Sequence, residues 1–353
     1  MNPRRITASY LSVAAVVLGL TPLVARGADP EIVSVEKIWD QGKHNAFTDL
    51  VRWHDAWYCT FRESEAHVGG DGQIRVLTSK DGKTWESAAL ISEQGIDLRD
   101  PKFSVTPDDR LMIVAGGSLY GGTKVLKGRR PRVLFSKDGR EWTPPTPVLT
   151  DGEWLWRVTW HDGKAYGVSY NAEARATDAG KAAAQAKKVE PGPAEWKLKL
   201  FSSPDGVHYD LVTHLDVPGH PNETTVRFLP DGTMLALVRR EAGNKLAWIG
   251  QAKAPYTKWT WTETKHQVGG PNFIPLPNGE LWAAGRNYPN RVSTVVARMT
   301  PTSYEPLLTL PSGGDTSYAG LVWHDGQLWM SYYSSHENKK SAIYLAKIKL
   351  PEK

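Results

Sequence analysis

Residues 79–85 read SKDGKTW, and similar turns occur at residues 136–142 (SKDGREW) and, in a weaker form, at residues 203–209 (SPDGVHY). Each copy follows a strand-like run, and the copies begin 57 and 67 residues apart. In such a turn the aspartate can accept hydrogen bonds from backbone N–H groups, and the glycine adopts a conformation that other residues resist. One copy would be an ordinary turn, but three at this spacing indicate a structural repeat.

A second element occurs six times, out of phase with the first. It is a short strand, a turn of Asp-Gly or Asn-Gly type and another short strand, with the turns at residues 54–55, 107–109, 161–163, 230–232, 277–279 and 324–326. Four-stranded units repeated radially form a β-propeller. Residues 31–39 precede the first unit, whereas the last unit ends near Leu350 with few residues left for a fourth strand. We therefore predict an all-β fold, a six-bladed β-propeller of four-stranded antiparallel blades, with the ring closed by the N-terminal strand.

The chain divides into an export signal and one domain. Residues 1–27 have a basic start, an apolar run at 11–20 and small residues before Ala28, which is typical of a cleaved signal peptide. The alternative is an uncleaved N-terminal anchor, but the apolar run is too short to span a bilayer stably. We predict a secreted or periplasmic protein without a membrane span, in which residues 28–353 form a single propeller domain. An Ala- and Lys-rich segment at 172–192 is predicted to be a surface insertion.

Composition excludes several functional classes. The net charge of +5 falls to about +2 without the signal peptide, which holds three arginines and no acidic residue, and no basic stripe suggests nucleic-acid binding. Cys59 is the single cysteine, so no intrachain disulfide can form, and we expect it to be a small core residue. No metal signature with credible spacing is present, and we expect no cofactor and a monomer. Fifteen Trp and thirteen Tyr suit a sugar-binding surface, although most are expected in the core.

The six units, the Asp-box turns and the signal peptide together resemble the exo-sialidase (neuraminidase) superfamily, whose members cleave terminal sialic acids from glycans. The resemblance implies three kinds of group at the mouth of the central funnel. Arginines hold the substrate carboxylate in bidentate fashion, and a tyrosine assisted by a glutamate acts as nucleophile. An acid in a loop of the first blade protonates the leaving oxygen.

The second half of the chain matches this pattern residue by residue. Glu223 opens the fourth unit, Arg239 and Arg286 end the second strands of the fourth and fifth units, and Tyr318 opens the sixth. The resemblance implies Tyr318 as nucleophile, Glu223 as its base and the two arginines as carboxylate ligands. Arg240 is the alternative to Arg239, since neighbours on a strand point to opposite faces. On this hypothesis the Tyr318 hydroxyl lies within hydrogen-bonding reach of Glu223.

The first half of the chain departs from the pattern. No arginine precedes the first inner strand, so His44 or Lys43 would stand in for it. The acid loop offers, as candidates, Glu63, Glu65, His67 and Asp71. Further candidate substrate-binding residues are Arg62, Arg99, Asp100, Trp156 and Asn272. For three of these a structural role is the alternative: an ion pair between Arg62 and Asp100 beneath the site, and Trp156 filling the ring centre.

The sequence therefore favours a secreted, exo-acting glycoside hydrolase that cleaves a terminal anionic sugar, sialic acid or a related sugar acid, from a glycan. Two alternatives stay open. One is a non-catalytic propeller that binds glycans. The other is a polysaccharide lyase in which His44 or His67 and a tyrosine remove the proton α to a uronate carboxylate.

Overall fold

The computed structural model describes residues 29–171 and 196–351. Within them the chain forms six sheets of four antiparallel strands, which confirms the predicted six-bladed β-propeller. The proposed signal peptide (1–27) and surface insertion (172–192) lie outside the described residues. In the described part of the chain there is no helix long and apolar enough to cross a membrane.

Each of the six blades is one sheet of four strands. The first three blades comprise β2 (His44–Trp53), β3 (Ala56–Ser64), β4 (Gln73–Ser79), β5 (Glu86–Ile91); β6 (Asp97–Val105), β7 (Leu111–Leu119), β8 (Gly128–Ser136), β9 (Thr146–Pro147); and β10 (Glu153–His161), β11 (Lys164–Asn171), β12 (Lys197–Ser203), β13 (Asp210–Leu215). The last three comprise β14 (Pro221–Phe228), β15 (Met234–Arg240), β16 (Trp248–Ala252), β17 (Thr260–Glu263); β18 (Gly269–Pro275), β19 (Leu281–Asn287), β20 (Ser293–Thr300), β21 (Ser303–Thr309); and β22 (Ser317–His324), β23 (Gln327–Ser334), β24 (Ala342–Lys349) with β1 (Glu31–Trp39).

The N-terminal strand closes the ring, as predicted. Strand β1 pairs antiparallel with β24, with Glu31 opposite Lys349, and it is the outermost strand of the last blade. The two ends of the described domain are therefore held in one sheet by backbone hydrogen bonds. The junction between this blade and the first is packed by Trp57 and Trp329, whose rings stack with centroids 4.2 Å apart.

The three repeated turns join the third and fourth strands of the first three blades, and they share one hydrogen-bond pattern. In the first, Asp81 Oδ1 accepts the backbone N–H groups of Lys83 and Thr84, both at 2.8 Å, and Gly82 has φ +67°. Asp138 and Asp205 make the corresponding bonds in the other two turns. Behind these turns the sheets pack through apolar side chains, and Cys59 is a fully buried core residue, as predicted.

A β-bulge interrupts every inner strand at the corresponding place, with two residues opposite one on the neighbouring strand. The bulged pairs are Phe47-Thr48, Asp100-Pro101, Trp156-Arg157, Asn222-Glu223, Gly270-Pro271 and Tyr318-Ala319. Phe47, Asp100 and Tyr318 adopt φ values of +67°, +51° and +55°, which is unusual for residues other than glycine. Such bulges redirect side chains and are enriched beside active sites. Here they turn side chains of several blades toward one place on the ring axis.

Candidate active site

A depression of about 350 Å³ lies over these bulges and is lined by residues of all six blades. Seven of the predicted site residues line it: Tyr318, Glu223, Arg239, Arg286, His67, Arg99 and Asp100. The other lining residues are Phe47, Ser118, Tyr120, Leu126, Arg129, Trp154, Tyr170 and Asp315. The ring thus gathers into one cavity residues that are more than 250 positions apart in the sequence.

Tyr318 and Glu223 form a hydrogen-bonded pair at the base of the depression. Tyr318 Oη donates to Glu223 Oε1 at 2.7 Å, within the reach that the sequence hypothesis requires. The other carboxylate oxygen, Oε2, accepts the backbone N–H of Gly270 at 2.8 Å and Arg239 Nη1 at 2.7 Å. The same Arg239 nitrogen lies 3.1 Å from Tyr318 Oη. Both members of the pair are buried, at 7% and 6% exposure.

The surroundings keep Glu223 ionised and Tyr318 protonated. Burial alone would raise the pKa of Glu223, but Arg239 and the hydrogen bonds from Tyr318 and Gly270 outweigh it and hold the pKa below its usual value. Burial, reinforced by the negative charge of Glu223, raises the pKa of Tyr318 well above its usual value. The phenol is therefore neutral at rest and has a carboxylate positioned to take its proton, which is the requirement for an activated nucleophile.

Arg286 holds a carboxylate of the protein itself. Its Nη2 donates to Asp315 Oδ1 at 2.5 Å and to Tyr333 Oη at 3.0 Å, and Tyr333 Oη donates to Asp315 Oδ2 at 2.7 Å. His67 Nδ1 lies 3.3 Å from the same oxygen. We refer to Arg286, Tyr333, His67 and Asp315 as the Asp315 corner. The guanidinium of Arg286 also lies over the Tyr318 ring, 5.2 Å from its centroid, so the corner adjoins the Tyr318–Glu223 pair.

Asp100 presents a carboxyl group with an unusual environment. It is 8% exposed, and its Oδ1 has no hydrogen-bond partner among the described residues. Burial raises its pKa to about 6, although Arg99 and Lys102 act in the opposite direction. The carboxyl therefore retains its proton in mildly acidic solution, in the same depression as Tyr318.

Four of the predicted residues point away from the depression. Glu65 is exposed and pairs with Lys43 at 2.5 Å. Asp71 accepts the backbone N–H of Gly95 at 3.0 Å. Glu63 is bound by Arg75 at 2.8 Å and by Trp39, and Arg240 donates to Glu263 at 2.9 Å and to the Pro218 carbonyl. Of the acid loop, only His67 lines the depression.

Arg62 does not pair with Asp100. It is fully buried and bidentate to Asp97, with distances of 2.6 Å and 3.0 Å, and it also donates to the Ala66 carbonyl at 2.9 Å. Arg99 adds a bond from its Nη1 to the His67 carbonyl at 2.8 Å. The two arginines therefore hold the loop that carries His67, and Arg62 supports the site without lining it.

Three further candidates have mainly structural contacts. Trp156 is 1% exposed and packs at the ring centre, 5.5 Å from the Tyr318 ring. Asn272 is buried and links blades, because it accepts a bond from Arg227 and donates to the Ala319 carbonyl, both at 2.9 Å. His44 lies behind His67, with ring centroids 5.3 Å apart, and burial together with Arg62 lowers its pKa to about 4.

Sequence reasoning missed Asp315, Tyr333, Arg129 and Tyr170. A signal for Asp315 was present, since a charged residue three positions before Tyr318 sits where an inner strand begins. Arg129 lies near the start of β8, the third strand of its blade, and its guanidinium lies 5.1 Å from the ring centroid of Tyr170 in the next blade. Its position in the depression therefore depends on packing between blades. In residues 29–171 and 196–351 no group of three or more His, Cys, Asp or Glu side chains could hold a metal ion.

Comparison with known proteins identifies the fold. No protein-family model matches the chain, and no curated protein matches it in sequence. Among solved structures, a Dyadobacter fermentans protein of unknown function is similar with a TM-score of 0.75 and 18% identity, covering 91% of this chain and 99% of that one.

Two of the similar solved structures are of proteins named as enzymes. Trypanosoma rangeli sialidase bound to the inhibitor DANA gives a TM-score of 0.66 at 11% identity over 87% of this chain, which spans about half (55%) of the sialidase. The GH93 α-L-arabinofuranosidase of Fusarium graminearum, in complex with arabinobiose, also gives 0.66, at 14% identity, covering 90% of this chain and 98% of that one. At these identities the likeness establishes the six-bladed fold alone.

Proposed function

We propose that the protein is an exo-acting glycoside hydrolase that releases a terminal sugar from a glycan, with Tyr318 as nucleophile and Glu223 as its base. The observation that carries the proposal is the 2.7 Å hydrogen bond between the buried phenol and an ionised carboxylate that Arg239 holds in place. Two structures of the same fold belong to a sialidase and an arabinofuranosidase, which supports sugar chemistry by analogy of fold.

The first step forms a bond between Tyr318 Oη and the anomeric carbon of the sugar. The phenol proton passes to Glu223, the glycosidic bond breaks, and the leaving oxygen takes a proton from Asp100. In the second step water attacks the anomeric carbon and gives its proton to the Asp100 carboxylate. The bond to Tyr318 breaks, and the phenolate recovers its proton from Glu223. Each group ends in its starting state, as two-step glycoside hydrolysis requires.

Asp100 is better suited to the acid role than the other groups that line the depression. Burial lowers the pKa of His67, and Arg99 adds to this effect while Asp315 opposes it, so less of the imidazole is protonated than in a free histidine at the same pH. Asp315 is engaged by Arg286 and Tyr333. Asp100 combines a free carboxyl oxygen, a place in the depression and a proton retained up to about pH 6.

Asp100→Asn is expected to lower kcat/KM by about 10²- to 10⁴-fold, the usual contribution of a general acid. Because the acid must be protonated, wild-type activity should fall as the pH rises through the Asp100 pKa of about 6, and the variant should lose this limb. Asparagine tolerates a positive φ, so the bulge is preserved. The matched control is Asp109→Asn, which alters another positive-φ aspartate in the turn after β6. An alkaline limb that persists in Asp100→Asn would remove Asp100 from the mechanism.

The reaction itself is tested by incubating the purified protein with a broad panel of glycans and analysing the products by mass spectrometry. A hydrolase releases a single terminal sugar, and the two products together gain one water. A lyase leaves an unsaturated product without added water, and a binding protein leaves the glycan intact. Either of these two results across the whole panel would overturn the proposal.

We further propose that residues 1–27 direct export and that the mature protein is secreted or periplasmic. The basic start and the apolar run at 11–20 support this. Expression in a bacterium with an intact export pathway should yield a protein whose first residue is Ala28, as determined by N-terminal sequencing. Recovery of the chain from the cytoplasm with residues 1–27 still attached would contradict the proposal.

A further inference from the structure

We propose that Asp315 is a built-in carboxylate that fills the anion-binding corner of the depression, so that the terminal sugar carries no carboxylate there and is a neutral sugar. This inference rests on the proposed function and narrows its substrate class. It departs from the expectation of an anionic sugar that the sequence raised, because that expectation required Arg239 and Arg286 to be free.

Both guanidinium groups are already paired with carboxylates. Arg239 donates through Nη1 to Glu223 at 2.7 Å and through Nη2 to Glu241. Arg286 uses Nη2 for Asp315 and Nε for the Thr316 carbonyl, at 2.9 Å. A guanidinium recognises a carboxylate best through two parallel N–H bonds. Arg286 cannot offer such a pair without first giving up a protein partner, and Arg239 has only its buried Nε left without a hydrogen-bond partner among the described residues.

Asp315 has the donors that a bound substrate carboxylate would need. Arg286 and Tyr333 donate to its two oxygens at 2.5 and 2.7 Å, His67 Nδ1 lies 3.3 Å from Oδ2, and the side chain is 37% exposed. A second carboxylate brought to the same donors would be repelled by the first, since like charges at short range strongly disfavour joint ionisation. Neutral hydroxyl groups face no such penalty and can accept from Arg286 or donate to Asp315.

The other charged groups that line the depression are of both signs. Arg99 pairs with Asp97 at 3.1 Å, and Arg129 donates to the Gly152 carbonyl while its guanidinium lies against the rings of Trp154 and Tyr170. Asp100 and Glu223 add carboxyl groups to the lining. A sugar acid would thus meet the Glu223 carboxylate as well as that of Asp315, which opposes its binding.

The first test compares aryl glycosides of neutral sugars, including 4-nitrophenyl α-L-arabinofuranoside, with 4-methylumbelliferyl sialoside and 4-nitrophenyl glucuronide on the wild-type enzyme. We expect at least one neutral glycoside to be cleaved with a kcat/KM more than about 10³-fold above either anionic one, as expected when a site rejects a buried charge. Preferential cleavage of the sialoside or the glucuronide would overturn the inference while leaving the proposed function intact.

The second test measures binding and does not depend on turnover. Free sialic acid and glucuronic acid are titrated calorimetrically into the wild type, Asp315→Ala and Asp315→Asn. Asp315→Ala removes the carboxylate and leaves space in the Asp315 corner. Asp315→Asn keeps the size of the side chain and removes its charge. The matched control is Asp325→Asn, which alters an exposed aspartate of the same blade that pairs with His324. We expect a sugar acid to bind at least one Asp315 variant about tenfold more tightly than the wild type or the control.

The two tests separate failure of the inference from failure of the proposed function. If neither these glycosides nor any glycan of the panel is cleaved, the proposed function fails, and the binding test alone decides whether Asp315 fills an anion-binding site. A gain of sugar-acid binding in an Asp315 variant then still supports a filled anion site. Equal binding by the wild type and both variants, or binding by none of them, would overturn the inference. Asp315→Asn keeps the test valid should Asp315→Ala fail to fold.

Discussion

Tyr318→Phe is expected to lower kcat by at least about 10³-fold, because the substitution removes the oxygen that forms the bond to the sugar. The ring would keep its packing against Phe47 and Trp156, at 5.0 Å and 5.5 Å between centroids. Glu223 would keep the bonds from Arg239 and Gly270. The melting temperature should therefore change by only a few degrees. The measurement is the initial rate on the best substrate of the glycan panel, together with a thermal melt.

The matched control for this variant is Tyr332→Phe. Tyr332 belongs to the same blade, is fully buried and donates its hydroxyl to the Pro311 carbonyl at 3.1 Å, outside the depression. The control loses one phenolic hydrogen bond, whereas Tyr318→Phe loses the bond to Glu223 and the bond from Arg239. Tyr332→Phe should keep its activity within about twofold, since a single hydrogen bond affects stability by only about 1 kcal/mol. Retention of more than a tenth of the activity in Tyr318→Phe would exclude the phenol as nucleophile.

Glu223→Gln is expected to have the second-largest effect, a loss of about 10²- to 10⁴-fold in kcat, because the amide cannot accept the phenol proton. It also leaves the partly buried Arg239 with Glu241 as its remaining carboxylate partner, which should destabilise the fold by about 3 kcal/mol. Since the pKa of Glu223 is held below its usual 4.5, its ion pair stabilises the wild type above that pH and is lost as the pH falls through the lowered pKa. The stability of Glu223→Gln should therefore not show this decrease at acidic pH.

The adjacent pair of Arg240 and Glu263 supplies the control for this second variant. Glu263→Gln breaks the 2.9 Å ion pair with Arg240, whose side chain lies on the opposite face of β15 from that of Arg239. It should leave kcat unchanged while affecting stability alone. Equal losses of activity in Glu223→Gln and Glu263→Gln would mean that Glu223 acts only by stabilising the blade.

The blades were predictable because their signals are local. An aspartate two residues after a serine can reach the N–H groups of its own turn whatever surrounds it, and Asp81 does so at 2.8 Å. Glu223 and Tyr318 were predicted from the resemblance, and the ring brings their side chains into contact because both lie near the starts of inner strands. The sequence also predicted that Arg239 and Arg240 face opposite ways, since neighbouring residues of a strand do so, and Arg239 is the one that lines the depression.

The rest of the site depends on features that strand periodicity does not encode. A bulge adds one residue to a strand and redirects its side chains; Asp100, which was predicted as a substrate-binding residue and not as an acid, lies in such a bulge and lines the depression. In the acid loop the residue types were suitable, but the path of the loop sets their contacts. Asp71 accepts a hydrogen bond from the backbone N–H of Gly95, and Glu65 forms an ion pair with Lys43. Asp315 was not predicted because the resemblance implies arginines as ligands of a substrate carboxylate, whereas Arg286 is paired with a carboxylate of the protein itself.

Covalent labelling of the nucleophile tests the central claim most directly. The enzyme is incubated with an activated glycoside of the sugar found by the panel, fluorinated next to the anomeric carbon to slow the second step, and is then digested and mapped by mass spectrometry. We predict one fluorosugar attached to Tyr318. A label on any other residue, or turnover with inversion at the anomeric carbon and no label, would contradict the account.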